Sequence, residues 1–347
     1  MTPRFRRFCS RWLLELTILA LLLALLPGCQ QEEDQRTPLR IGVAFYTMED
    51  TFISTISREL ERLALERERE EQVKINLSFL DGRSNQTTQL EQNDCLLGRG
   101  CDVLCVNIVD RTAAAVIIDK AEEARVPLIF FNRQPVAEDI RRWEQVYYVG
   151  ADAEESGLLQ GAIVRDAWQA ERERWDRNGD GVLQYVMLEG EPGHQDALLR
   201  SEFATKPLLE AKIPAEKLAS DTANWNRGQA AAKVSGWLPE FGADVDVIFA
   251  NNDDMALGAI DACRALGMKD LPMVVGVDGT EEAMESIQRG TMQGTVLNDA
   301  RGIARYMVDL SLAVYQHRPL DQAAALEEEH YIWLPYRKVT AAELPRP

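Results

Sequence analysis

From Leu39 onward the chain alternates short apolar runs with longer stretches in which apolar residues recur every three or four positions. The runs are "LRIGVAFY" (39–46), "KINLSFLDG" (74–82), "DVLCVNIVD" (102–110), "VPLIFFN" (126–132), "VYYVGAD" (146–152), "LQYVMLEG" (183–190), "VDVIFANND" (245–253) and "LPMVVGVDG" (271–279). Each is rich in β-branched and aromatic residues and stops at polar residues or glycine, the pattern of buried strands. The intervening stretches have helix period: Phe52, Ile53, Ile56, Leu60 and Leu63 form one apolar stripe within 52–69. Strands that are apolar on both faces and separated by helices form parallel sheets covered on both sides, so the pattern predicts an α/β protein. A body of about 310 residues exceeds what one core usually supports, which predicts two lobes.

Open parallel sheets bind ligands beyond the carboxyl ends of their strands. Those ends are polar here: Glu49 and Asp50 after the first run, Asn107 and Asp110 after the third, Asn251, Asn252 and Asp253 after "VIFA", and Asp278 after "VVGV". Any one of these can serve as a helix N-cap, but recurrence at four strand ends points to a shared polar site. The segment "EPGHQDALLR" places His194, Asp196 and Arg200 at a helix start, where spacing alone makes Asp196 and Arg200 an ordinary i,i+4 pair. Phe52 taken alone belongs to a core stripe. Trp225, between Asn224 and Asn226, is oddly set for a core residue.

One loop has metal-binding character. In "WDRNGDGVLQYVM" the residues Asp176, Asn178, Asp180 and Gly181 reproduce the opening of an EF-hand calcium loop, with oxygens at positions 1, 3 and 5 and glycine at 6. The twelfth position, where a bidentate Glu belongs, is Met187. A metal-free Asx turn is the alternative.

Charge and the N-terminus narrow the setting. Arg4, Arg6, Arg7 and Arg11 precede an apolar run from Trp12 to Leu26 and then Leu26-Pro27-Gly28-Cys29, the layout of a lipoprotein export signal with Cys29 as the lipidated first residue. A retained membrane anchor needs roughly 20 apolar residues, more than this run offers. Loss of residues 1–28 removes four Arg and Glu15 and takes the net charge from −18 to −21, which argues against nucleic acid or anionic membrane surfaces as partners. Residues 29–37 read as a polar tether. Cys95 and Cys101 are close enough in sequence to pair in an oxidising compartment, while Cys105 lies in an apolar strand. There is no G-x-S-x-G, H-E-x-x-H, P-loop or G-x-G-x-x-G motif, so nothing in the motifs points to an enzyme.

Long motifs in order, "YYVGADAEESG", "DRNGDGVLQYVMLEGEPGHQDA", "SDTANW", "FANNDDMALGA" and "GTVLNDA", make the chain from about Leu39 to Val339 resemble the galactose/glucose-binding proteins, type I substrate-binding proteins of ABC sugar importers. The resemblance implies a two-lobed type I periplasmic-binding-protein fold, parallel sheets flanked by helices, with a three-segment hinge closing over a sugar. The lobe boundaries expected are 38–127 with 298–330 for lobe one and 128–297 with 331–347 for lobe two.

By the same resemblance, polar sugar contacts fall on Asp50, Asn107, His194, Asp196, Arg200, Asn252, Asp278 and Asn298, and aromatic faces on Phe52 and Trp225. Such a set suits a pyranose, which carries hydroxyls at its rim and C–H patches on its faces. Calcium, as a structural ion, would be held by Asp176, Asn178, Asp180, the Val182 carbonyl, Gln184 and, from a distant segment, Asp246 in place of the family's Glu. The implied function is an extracytoplasmic lipoprotein that binds D-glucose or D-galactose and delivers it to an ABC permease. The alternative is a sensing module that presents its closed form to a chemoreceptor or sensor kinase.

Overall fold

The computed structural model describes residues 37–320 and 326–344. The expected export signal, Cys29 and most of the tether lie outside the described residues.

The chain first lays down β1 (Leu39–Phe45), α1 (Thr51–Glu71), β2 (Ile75–Asp81), α2 (Gln86–Gly98), β3 (Val103–Val106), α3 (Ala114–Ala124), β4 (Leu128–Phe131), α4 (Ala137–Ile140) and β5 (Val146–Gly150). It then builds α5 (Ala153–Ala170), α6 (Arg172–Trp175), β6 (Leu183–Glu189), α7 (Gln195–Phe203), α8 (Lys206–Glu210), β7 (Ala215–Thr222), α9 (Arg227–Phe241), β8 (Val247–Ala250), α10 (Asp253–Ala265), β9 (Met273–Asp278), α11 (Glu281–Gln288) and β10 (Gly294–Leu297). Last come α12 (Ala300–Tyr315), β11 (Tyr331–Trp333) and β12 (Arg337–Thr340).

Two six-stranded sheets result, ordered β11-β5-β4-β3-β1-β2 and β12-β10-β9-β8-β6-β7. Every pairing is parallel except β10 with β12. Period-2 alternation divides each sheet's side chains between two cores. In the first sheet Val43, Phe45, Ile129 and Phe131 face one way, and Ala44, Leu104, Phe130 and Tyr148 the other. The second sheet sends Val186, Leu188 and Ile248 to one core and Tyr185, Met187 and Phe249 to the opposite one.

Three connections pass between the sheets. The chain leaves β5 at Ala151 and enters α5, whose Gln160 donates to Ala250 O at 2.7 Å and Val275 O at 3.2 Å under the second sheet. It returns after β10 through Asn298 into α12, whose Ile303, Met307 and Val308 pack on the first sheet's core. Leu334, Pro335 and Tyr336 make the third crossing, between β11 and β12.

These crossings correct the expected boundaries. The strands β4 and β5, placed in lobe two by a cut at 127/128, extend the first sheet, and β11 joins it beside β5. The segment "YIWLPYRKVT" is therefore two strands in two sheets, divided at Pro335, which has no N–H to continue a ladder. An apolar run marks a buried strand but does not record which sheet it joins. The edge strand β7, "AEKLASDT", was not expected at all, because its mostly exposed polar residues lack the apolar signature. Cys95 and Cys101 are unpaired thiols, Cys95 exposed on α2 and Cys101 buried.

Candidate functional site

The carboxyl ends of both sheets converge on a small cavity of about 30 Å³, with the lobes drawn so close that it has room for one or two waters. Eight of the ten residues expected to contact a ligand line it: Asp50, Phe52, His194, Asp196, Arg200, Trp225, Asn252 and Asp278. Asn107 and Asn298 do not line it, but both are buried at strand ends and each keeps an Oδ1 with no partner in the protein. The sequence reading missed Tyr46, Asn132 and Arg133, which complete the wall. The strand-end rule could have found Asn132 and Arg133, since they follow β4 directly.

Several of these residues cap helices and serve the site together. Asp50 Oδ1 accepts from Ile53 N at 3.0 Å at the start of α1, while its Oδ2 accepts from the Tyr46 hydroxyl at 2.6 Å. Asn252 Oδ1 accepts from Met255 N at 3.0 Å to cap α10. His194 Nδ1 accepts from Asp196 N at 3.1 Å to cap α7. That bond fixes the tautomer and leaves Nε2–H as a donor. Burial, reinforced by Arg133, Arg200 and Arg111, pushes His194 well below its ordinary pKa, so the ring stays neutral.

Arg200 organises the floor. Its Nη1 donates to Asn251 O at 2.7 Å, and its Nη2 to the Tyr336 hydroxyl at 3.1 Å and Asp196 Oδ2 at 3.4 Å. Asp278 Oδ1 lies 4.0 Å from Nη1. Burial raises the pKa of Asp196 and pushes that of Asp278 well above its ordinary value, with Arg200 opposing the rise in each. Behind Asp278, the buried Asp253 accepts from Thr295 Oγ1 at 2.6 Å and Thr280 N at 2.8 Å. Burial also raises Asp253.

The aromatic wall needs unusual backbone. Asn224 and Trp225 have φ of 49° and 62°, a region L residues seldom occupy. The indole stands edge-on to His194 at 5.1 Å between centroids, and a Cβ on Gly190 would fall inside its ring. Its Nε1 is buried without a partner, as are the Nε atoms of Arg133 and Arg200.

Contacts between the two lobes close the cleft around this cavity. Thr51 Oγ1 donates to Asp254 Oδ2 at 2.6 Å. Arg133 Nη2 donates to Glu191 Oε2 at 2.8 Å, and Gln195 Nε2 to Gln134 Oε1 at 3.2 Å. The Arg133 guanidinium also lies 3.5 Å over the Tyr46 ring.

Two crossed α/β lobes with a polar cleft at the strand ends are an architecture seen before. The "Periplasmic binding protein domain" family matches residues 41–319. The chain belongs to this family. It is 39% identical over 299 residues, 86% of this chain and 88% of the relative, to the D-galactose/methyl-galactoside binding periplasmic protein MglB of Haemophilus influenzae. A putative rhizopine-binding protein of Rhizobium meliloti is 29% identical over 78% of this chain and 81% of its own length. Among solved structures, an ABC transporter solute binding protein of Bacillus halodurans with bound myo-inositol aligns at a TM-score of 0.71 and 26% identity, covering 87% of this chain and 94% of its own. One from Actinobacillus succinogenes with bound D-allose aligns at 0.75 and 20% identity, covering 88% and 99%, and supports the fold alone. This is a family of solute receptors, not enzymes, in agreement with the lack of catalytic motifs.

The acidic loop of this periplasmic binding protein runs between α6 and β6. Gly179 and Gly181 have φ of 77° and 85°, which the sharp turn requires. Asp246 accepts from Arg177 N at 2.9 Å and Gln184 N at 2.8 Å, tying the loop to the start of β8. Gln184 Nε2 donates to Asp180 Oδ2 at 2.7 Å, and Asn178 Nδ2 to Asp244 Oδ1 at 3.0 Å. Burial raises Asp246 to about 6. Asp176 Oδ1 is buried without a partner. Among the described residues no three His, Cys, Asp or Glu side chains are already drawn together as a metal cage. The donor set nevertheless suits a hard cation, since three carboxylates, two side-chain amides and a carbonyl supply oxygens only.

The Arg200 network generates a test that needs no ligand. Arg200→Met leaves Asp196 and Asp278 buried without their cation and is expected to destabilise the protein by about 3–5 kcal/mol. Urea unfolding measures this, and an unchanged midpoint would contradict the network's role.

Proposed function

We propose that this periplasmic binding protein is the receptor of an ABC sugar importer and encloses D-glucose or D-galactose between its lobes. The observation that carries the reading is the set of buried polar atoms without protein partners around the cleft: Asn107 Oδ1, Arg200 Nε, Trp225 Nε1 and Asn298 Oδ1. Orphaned donors and acceptors cost about 1–3 kcal/mol each when buried, and a ring of hydroxyls in the cavity offers partners to those of Arg200 and Trp225, which line it, and to the two asparagine oxygens at the neighbouring strand ends where the lobes open to admit it. Trp225 and Phe52 supply apolar surface for the C–H faces of a pyranose. The relative named for D-galactose and methyl-galactoside supports a hexose.

Closure follows from the same balance. With the lobes apart, water hydrates the orphaned atoms; with them together, only a ligand can. Sugar therefore binds the closed state more strongly than the open one, and that difference is what shifts the equilibrium. The closed outline is then what the permease distinguishes from the empty receptor.

Calcium is part of the same reading. Asp176, Asn178, Asp180, the Val182 carbonyl, Gln184 and Asp246 would hold it, adding stability by mass action at a distance from the sugar. Localisation is the third element. In this reading the protein lies outside the cytoplasmic membrane, tethered by lipid on Cys29, with the layout of residues 4–29 as its support.

Calorimetric titration with glucose, galactose, ribose and arabinose, with calcium and after chelation, tests the first two elements. The expected result is hexose binding without pentose binding, weakened at least ~10-fold by Trp225→Ala, with chelation lowering Tm more than affinity. No heat with either hexose would overturn the ligand, and an unchanged Tm on chelation would overturn the ion. For the anchor, Cys29→Ser should move the protein from the membrane fraction to the soluble one. Retention in the membrane would contradict it.

A further inference from the structure

Beside the sugar cavity, and sharing Arg133, His194 and Asp196 with it, opens a second chamber of about 420 Å³. It lies between the lobes, with Val109 and Arg111 from one and Pro192 and Gln195 from the other. Its walls also hold buried polar atoms without partners in the protein: Arg111 Nε, Arg133 Nε and Gln195 Oε1. The Arg133 side chain is only 6% exposed. Arg111 makes one long hydrogen bond, from Nη2 to Pro135 O at 3.4 Å. Arg133, His194 and Asp196 line both chamber and cavity, and Arg111 lines the chamber beside them.

The chemistry of the walls selects the occupant. Two donors and one acceptor suit hydroxyl groups, which accept and donate in turn. Val109 and Pro192 add apolar surface for C–H groups. An anion fits poorly, because Glu191, Asp110 and Asp196 also line the chamber and Glu191 already neutralises Arg133. The mouth groove on the cleft's other side, lined by Glu49, Glu281, Glu282 and Glu285, is well solvated and has fewer such atoms.

We propose that this chamber is a second subsite, which receives a neutral second sugar unit joined to the hexose, so that the receptor takes disaccharides as well as free sugar. This rests on the sugar-receptor reading above. Cross-lobe closure at Gln134 and Gln195 then folds over the second unit, and Arg111 contributes to affinity only when that unit is present.

The experiment is titration of the full protein with glucose, galactose and a panel of disaccharides joined by α-1,4, α-1,6, β-1,4 and β-1,6 bonds. At least one disaccharide is expected to bind as tightly as the better hexose. Arg111→Ala should weaken that disaccharide about 10-fold or more while leaving hexose affinity within about twofold, and the hexose titration doubles as the check that the variant is folded. Arg58→Ala, in the mouth groove, should change neither. Failure of every disaccharide while a hexose binds would overturn the subsite, as would loss through Arg58→Ala and not Arg111→Ala. Failure of both hexoses and disaccharides would instead sink the sugar reading on which it rests.

Discussion

The cleft depends on one buried guanidinium. From α7, Arg200 bonds to the end of β8 through Asn251 O and to the third interlobe crossing through Tyr336, pairs within its own helix with Asp196, and faces Asp278 at the end of β9. Arginine does not lose its proton in a protein, so this charge is fixed. Burial works against it, but Tyr336, Asp196 and Asp278 outweigh that and raise its pKa. Two carboxyl groups can therefore sit at the floor of the cavity because a cation is locked between them. A lysine in its place could not make the same three-way fork.

Around that fixed charge the site is under-bonded by the protein itself. Helix caps use one atom of Asp50, Asn252 and His194; Asp50 Oδ2 also accepts from the Tyr46 hydroxyl and Asn252 Nδ2 donates a long bond to Trp225 O, while His194 keeps its Nε2–H for the cleft. Asn107 and Asn298 keep a buried oxygen unpaired, and Arg200 and Trp225 a buried N–H. A closed cleft whose polar atoms lack partners is a high-energy arrangement unless a ligand completes it, so recognition and closure become one event. Specificity follows from the same penalty, since an analogue lacking a hydroxyl leaves a group unpaired.

Much of this was legible in the sequence. The apolar runs placed β1, β3, β8 and β9, and polar residues at their ends marked the site because strand ends in parallel sheets converge. The role of each residue was less legible. Asp50 and Asn252 as N-caps and as site residues share one sequence signal, and only the resemblance separated the uses. Arg133 sits where the strand-end rule points, just after β4, but nothing local shows that its side chain is buried; that burial comes from Tyr46 and Glu191, which are distant in sequence. Sheet membership was illegible for β4, β5 and β11, since hydrophobicity reports burial and not the neighbour. Edge strand β7 lacked even that signal.

The most direct measurement is a high-resolution structure of the protein with glucose or galactose bound. The account predicts sugar oxygens within hydrogen-bond distance of Asn107 Oδ1, Arg200 Nε, Trp225 Nε1 and Asn298 Oδ1, with the ring between Phe52 and Trp225. A hexose bound elsewhere, or bound in the cleft with those atoms still unpaired, would contradict it.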